Sequence, residues 1–198
     1  MKKKYFFRFM SLIMVLLLVL GGCSASKNEE EPYDNTEKYK DIPKDAENVI
    51  RVGPDWEFTS IQAAWDAAQP GSLIVIDGSA TYFDLDASLI ASGKDNITIR
   101  GINGRPRMEV PEGEVYLVQR KGIWVINSNN ITIENIEFTG ARNFESKNGS
   151  GVRVEPVVNI TIRDCYFHHN DNGILTSAQA DSTVTIEGCE FAYNGYGD

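Results

Sequence analysis

The stretch "NITIRDCYF", residues 159–167, has close copies elsewhere in the chain: "NITIRGI" at 96–102, "NITIENIEF" at 130–138 and "TVTIEGCEF" at 183–191. Aligned on Ile97, Ile131, Ile160 and Val184, the copies stand 34, 29 and 24 residues apart. Two positions on come Ile99, Ile133, Ile162 and Ile186. Five on come Ile102, Ile136, Cys165 and Cys189. Seven on, in the last three copies, come Phe138, Phe167 and Phe191. Polar residues lie between them: Thr98, Thr132, Thr161 and Thr185, then Arg100, Glu134, Arg163 and Glu187. Alternation with period two puts one set of side chains on each face of a strand.

A shorter strand accompanies the copies: "GIWVI" at 122–126, "GVRV" at 151–154 and "GILT" at 173–176. Each unit thus holds at least two strands joined by polar corners. Near-identical strands that recur once per unit are satisfied by winding the chain into a coil and stacking the coils. Each strand then pairs in parallel with its copy ~4.8 Å away. The expected fold class is all-β, a right-handed parallel β-helix. The outer column Arg100, Glu134, Arg163, Glu187 alternates in sign, so neighbouring coils attract, by ~0.2–1 kcal/mol per exposed pair. Cys165 and Cys189 fall in the inward column and read as buried free thiols, with a disulfide as the alternative. Asn96, Asn130 and Asn159 open N-x-T triplets, but at strand entries they read as ladder residues bonding backbone and their own copies.

The folded part starts near Val49. "NVIRV" is a strand. In "FTSIQAAWDAAQPG", Thr59 and Gln62 fit a capping box, Ile61, Ala64, Trp65 and Ala68 form an apolar stripe, and Pro70-Gly71 stops the helix. "SLIVI" is a buried strand ending at the Asp77-Gly78 turn. The start "SIQAAWDAAQPGSLIVI", followed by "ATYF", resembles the N-terminal cap and first coil of pectate-lyase-like right-handed β-helix proteins, and the "NITI" and "F..N..GI" pieces resemble their coils. The resemblance covers about 49–198 and implies the fold, with polysaccharide-active proteins among its members.

Residues 1–22 stand apart. "MKKKYFFR" is basic, "FMSLIMVLLLVL" is apolar, and "LGGC" closes the segment before Cys23. This is the layout of an export signal, too short to span alone. The "LGGC" ending resembles the lipobox of bacterial lipoproteins and implies lipidation of Cys23. An ordinary cleaved signal and an uncleaved anchor are the alternatives. Residues 23–47 are polar and charged, a flexible linker by composition, with packing of part of it on the domain edge through Tyr33 or Tyr39 as the alternative, and 48–198 is the β-helix domain of about four coils. The localisation expected is extracytoplasmic, lipid-anchored at the bacterial cell membrane. The chain stops at "NGYGD", where a next strand is due, so the β-helix reads as incomplete at its C-terminal end, with pairing of that end to a second chain as the alternative.

Removing 1–22 takes Lys2, Lys3, Lys4 and Arg8 and no acid, leaving 15 basic and 28 acidic residues, a formal net charge of −13. Such a surface excludes nucleic acid as a partner. The expected partners are a polysaccharide or glycan and, through Cys23, the membrane. An acidic polysaccharide needs a local basic patch or a divalent cation. Ca2+ is the candidate cofactor, with no metal ligands assigned.

Chemistry collects at the corner after the Phe column: "TGARNFESKNGSG" (139–151), "HHNDNG" (168–173) and "AYNGYGD" (192–198). Stacked strands must stack these corners, gathering Arg142, Glu145, Lys147, His168, His169, Asp171, Tyr193 and Asp198. The candidate catalytic residues are His168, His169, Asp171, Lys147 and Arg142. A polysaccharide lyase needs a cation for the uronate carboxylate, a base for the adjacent proton and an acid for the leaving oxygen. A glycoside hydrolase needs two carboxylates, for which Glu145, Asp171 and Asp198 are the candidates. A solvated polar corner is the alternative. Trp124 and Tyr193 are the candidate sugar-binding aromatics, Trp124 because alternation with Ile123 and Val125 would turn it outward. A non-catalytic glycan-binding or adhesion scaffold, or an inactive fragment, are the rival readings of the whole.

Overall fold

The structure, a computed structural model, describes residues 38–40, 42, 47–112, 117–177 and 181–195. Chain contacts divide the protein into two units, Met1–Tyr33 and Asp34–Asp198. Residues 1–22, Cys23 and Asp198 lie outside the described residues.

The chain enters through β1 (Val49–Val52) and helix α1 (Ile61–Ala67). The N-cap is Ser60 rather than Thr59: its hydroxyl accepts from the Ala63 amide at 3.5 Å. Gln62 does not close a capping box. Its side chain bonds Asp66 and the backbone of Ile90, tying the helix to the first coil. Ile61, Ala64 and Trp65 bury the expected stripe.

Coils follow. The first is β2 (Leu73–Asp77), β3 (Thr81–Phe83), the short helix α2 (Asp84–Ala87) and β4 (Leu89–Ser92). The second is β5 (Ile97–Ile102), β6 (Arg107–Glu109) and β7 (Gly122–Asn127). The third is β8 (Ile131–Glu134), β9 (Glu137–Thr139) and β10 (Ser150–Val154). The fourth is β11 (Ile160–Arg163), β12 (Tyr166–His168) and β13 (Asn172–Thr176). The fifth holds β14 (Val184–Glu187) and β15 (Glu190–Ala192). There are thus about five turns where the repeat alone suggested four, because β2–β4 is a coil without the N-x-T signature. All pairing between the named strands is parallel, and an isolated antiparallel bridge joins Val118 and Gly122. Sheet A runs β1-β2-β5-β8-β11-β14, sheet B β3-β6-β9-β12-β15, and sheet C β4-β7-β10-β13.

The register is the one the columns dictate: Ile97, Ile131, Ile160 and Val184 are direct partners. Phe138, Phe167 and Phe191 stack with ring centroids 5.1 and 5.2 Å apart. Phe138 and Phe167 are fully buried, each contributing ~1.5–3 kcal/mol, while Phe191 at the last coil is 50% exposed. The stack leans on sheet C, where a Cβ on Gly151 would stand 2.9 Å from Phe138 and Phe167. Only glycine fits there. Outside, Glu134 bridges Arg100 (2.5 Å) and Arg163 (3.0 Å) across three coils. Asn96, Asn130 and Asn159 take left-handed backbone angles at the strand entries, which asparagine tolerates. Asn159 donates to the Asn130 side chain at 2.8 Å. Cys165 and Cys189 are free thiols, Cys165 buried and Cys189 half-buried.

Two expectations are corrected. The stretch 23–47 is not a free linker throughout. Tyr39 is buried, its hydroxyl and the Lys38 ammonium both donate to Asp164, and Arg100 lies over its ring. Arg51 also donates to the Ile42 carbonyl at 2.6 Å. Trp124 is not a surface aromatic. It is fully buried, its indole N–H donates to the Ala87 carbonyl at 2.8 Å, and its ring meets Phe138 edge-on at 5.0 Å. From Gly122 to Ile126 every residue of β7 is buried, so alternation of type does not reveal which face looks inward.

Candidate functional site

The outer face of sheet B and the corner behind it carry the chemistry. Strand alternation sends Met108, Phe138 and Phe167 inward and leaves their neighbours outside. Register then aligns two outer columns: Thr81, Arg107, Glu137, Tyr166, Glu190, and Phe83, Glu109, Thr139, His168, Ala192.

His168 is the hub. Its Nε2 lies 2.9 Å from Glu137 Oε1. A carboxylate only accepts, so Nε2 carries the proton and Nδ1 presents a lone pair. That lone pair faces the Thr139 hydroxyl at 3.3 Å and His169 Nδ1 at 2.7 Å. With His168 neutral, His169 donates from its Nδ1 and its Nε2 is left bare. Two neighbouring rings hold the pair in place: Tyr166 stacks on His168 at 4.4 Å, and Tyr193 stacks on His169 at 5.1 Å. His168 is buried, His169 is exposed, and Tyr193 is 77% exposed. The same Glu137 oxygen lies 3.4 Å from Arg107, which also pairs with Glu109 at 2.7 Å. Burial first, then Glu137 and Glu190, pushes the Tyr166 phenol up, so it stays protonated.

Asp171 has a different place. Its side chain is 1% exposed. Oδ2 accepts from the amides of Asn143 (2.7 Å) and Gly149 (3.0 Å), and Oδ1 faces Arg142 at 3.4 Å. The carboxylate is thus committed to the 140–149 loop. Arg142 also donates to the Gly195 carbonyl at 2.8 Å, tying the loop to the fifth coil. Inside the loop, the Asn143 side chain caps the amides of Glu145 and Ser146, and the Lys147 amide closes onto the Asn143 carbonyl. Lys147 and Glu145 are exposed on this loop, Glu145 paired with Arg120. Phe144, just before them, is 63% exposed.

Of the residues expected at the site, His168, His169 and Tyr193 meet directly. Arg142 and Asp171 stand beside them as the loop's anchor, and Lys147 lies on the loop. Trp124 is inside the core. Glu137, Thr139, Tyr166 and Phe144 were not singled out in the sequence. The first three were within reach: they occupy the outer positions of the aligned "EFT" and "YFH" strands. Among the described residues, no three His, Cys, Asp or Glu side chains come together as a metal site.

Residues 93–197, more than half of the chain, match the family described as "Right handed beta helix region". The chain belongs to this family. The β-helix is also similar to the crystal structure of the pectin methylesterase from Aspergillus niger in deglycosylated form, with a TM-score of 0.50 at 13% identity. That match covers 79% of this β-helix chain and 60% of the other, so the chain spans less than two thirds of that protein's length. At this identity the likeness is one of fold. A comparison with curated proteins returned no match.

Proposed function

We propose that the protein acts on a polysaccharide at the outer face of sheet B, outside the cell, held to the membrane by lipid on Cys23. The observation that carries this reading is the hydrogen-bonded Glu137–His168–His169 relay ending in the exposed ring of His169. His169 is the base. When it takes a proton, the charge on its imidazole is shared through His168 with the Glu137 carboxylate. That arrangement lowers the cost of forming the cation.

Lyase chemistry fits this base better than hydrolysis. A hydrolase needs two free carboxylates facing one bond. Here Glu137 is held by His168 and Arg107, Asp171 by the loop, and Glu145 by Arg120. In the lyase reading, His169 Nε2 removes the proton beside a uronate carboxylate. The C–H electrons form a C=C bond, the glycosidic C–O bond breaks, and the leaving oxygen takes a proton from the Tyr193 hydroxyl or water. Lys147, exposed on the loop, is assigned to the uronate carboxylate with Arg142 at the loop's base behind it, the local basic patch that a mature chain of net charge −13 requires.

A second reading, glycan binding without turnover, is favoured by the exposed rings of Tyr193 and Phe144. One screen separates them. Uronate polymers are incubated with wild type and His169→Ala, following the ultraviolet absorbance of the unsaturated product, and neutral glycans are followed by new reducing ends. The lyase reading expects product from a uronate polymer and a loss of ~10²–10⁴-fold in the variant. Saturable binding with no product, abolished by Tyr193→Ala, would leave only the binding reading.

A further inference from the structure

The outer column that contains His168 does not end at the site. Its partners run His168, Thr139, Glu109, Phe83, one per coil, set by the register of four successive strands. Three coil spacings put Phe83 ~14 Å from His168 along the solenoid axis. There the column opens into a cleft of about 540 Å3, lined by Pro54, Thr59, Phe83, Asp84, Leu85 and Asp86 among others. Phe83 is 44% exposed and Leu85 66% exposed, two large apolar side chains side by side at the mouth of a cavity. The floor is fixed: Tyr82 is buried, and its hydroxyl donates to the carbonyls of Asp77 (3.0 Å) and Val52 (3.3 Å). A concave, largely apolar surface with a few polar groups at its rim is the ordinary form of a small-ligand site.

We propose that this cleft is a second sugar subsite, taking an uncharged, hydroxyl-rich unit of the glycan whose other end lies at His169. The proposal rests on the reading of the His169 site for the direction of the chain. The ligand class follows from the lining. Phe83 offers an aromatic face to the C–H side of a sugar ring, and Asp84 and Asp86 accept hydrogen bonds from hydroxyls. The same two carboxylates repel a uronate, so the two ends of the face select differently: cationic loop residues at one, acidic residues at the other.

The test is binding, which needs no turnover. Cello-, xylo- and manno-oligosaccharides from di- to hexasaccharide, and oligogalacturonates of the same lengths, are titrated calorimetrically into wild type, Phe83→Ala and Asp86→Lys. The expected result is binding of at least one neutral series, weakened about tenfold or more by Phe83→Ala, with Asp86→Lys shifting preference toward the oligogalacturonate. Thermal melts of both variants check that they fold, and Asp84→Asn serves if one does not. Neutral oligosaccharides that fail to bind, or that bind wild type and all variants alike, overturn the subsite. Cleavage of a uronate polymer without any neutral binding overturns the subsite and leaves the lyase reading standing. Phe83-sensitive neutral binding with no cleavage of any glycan does the reverse.

Discussion

Sheets A and B are built by the same winding, yet their outer faces differ in kind. On sheet A one outer column reads Thr98, Thr132, Thr161, Thr185 and the next Arg100, Glu134, Arg163, Glu187. Each coil nearly copies the last. On sheet B the outer column reads Phe83, Glu109, Thr139, His168, Ala192, five coils with five different residues. Inside, both sheets stay apolar, with Ile99, Ile133, Ile162 and Ile186 in sheet A and Tyr82, Met108, Phe138, Phe167 and Phe191 in sheet B. A solenoid requires repetition only where coils stack, so an outer face that abandons the repeat is free for recognition and chemistry.

Exchanging the two kinds of position breaks or sharpens this contrast. The largest effect is expected inside. Phe167→Ala removes the middle ring of the Phe stack and costs about 3–5 kcal/mol, read as a lower midpoint in denaturant. A cost under ~1 kcal/mol would mean the stack does not hold the coils together. Next comes Asp171→Ala, which leaves two buried amides unpaired and costs about 1–3 kcal/mol. Hydrogen exchange should accelerate at Asn143 and Gly149, and if those amides stay protected Asp171 does not anchor the loop.

A smaller effect concerns the packed segment at Lys38–Tyr39. Burial pushes the Asp164 carboxyl up, but hydrogen bonds from Lys38 and Tyr39 outweigh it and hold the carboxyl below the usual range. A lowered folded value means the stabilisation is fully present above the ordinary value of about 4 and is lost as pH falls through the folded one. Exchange at Tyr39 should therefore rise only below about pH 4, and Asp164→Asn should produce the same release at pH 7. The smallest effect on stability is Tyr193→Ala, within ~0.5 kcal/mol, because the ring is exposed. Its cost should appear instead in glycan binding.

The same contrast explains what was legible in the sequence. Inward columns announce themselves, since stacking selects like on like; Ile97, Cys165 and Phe167 could be placed without coordinates. The histidines and Tyr193 were found because the corners must stack when the strands do. Glu137 and Tyr166 were passed over because an alignment guided by apolar residues ignores the outer columns. Trp124 was turned the wrong way because a strand buried on both faces carries no alternation to read. Asp171 looked like a free acid because nothing in "HHNDNG" indicates that two amides 22 and 28 residues away in sequence close on it.

The relay at His168 is open to direct observation by 15N NMR of the imidazole nitrogens at neutral pH. The predicted result is a proton on Nε2 of His168 and on Nδ1 of His169, with Glu137→Gln shifting the His168 Nε2 resonance most strongly. A His168 proton on Nδ1, or a His168 signal indifferent to Glu137→Gln, would contradict it.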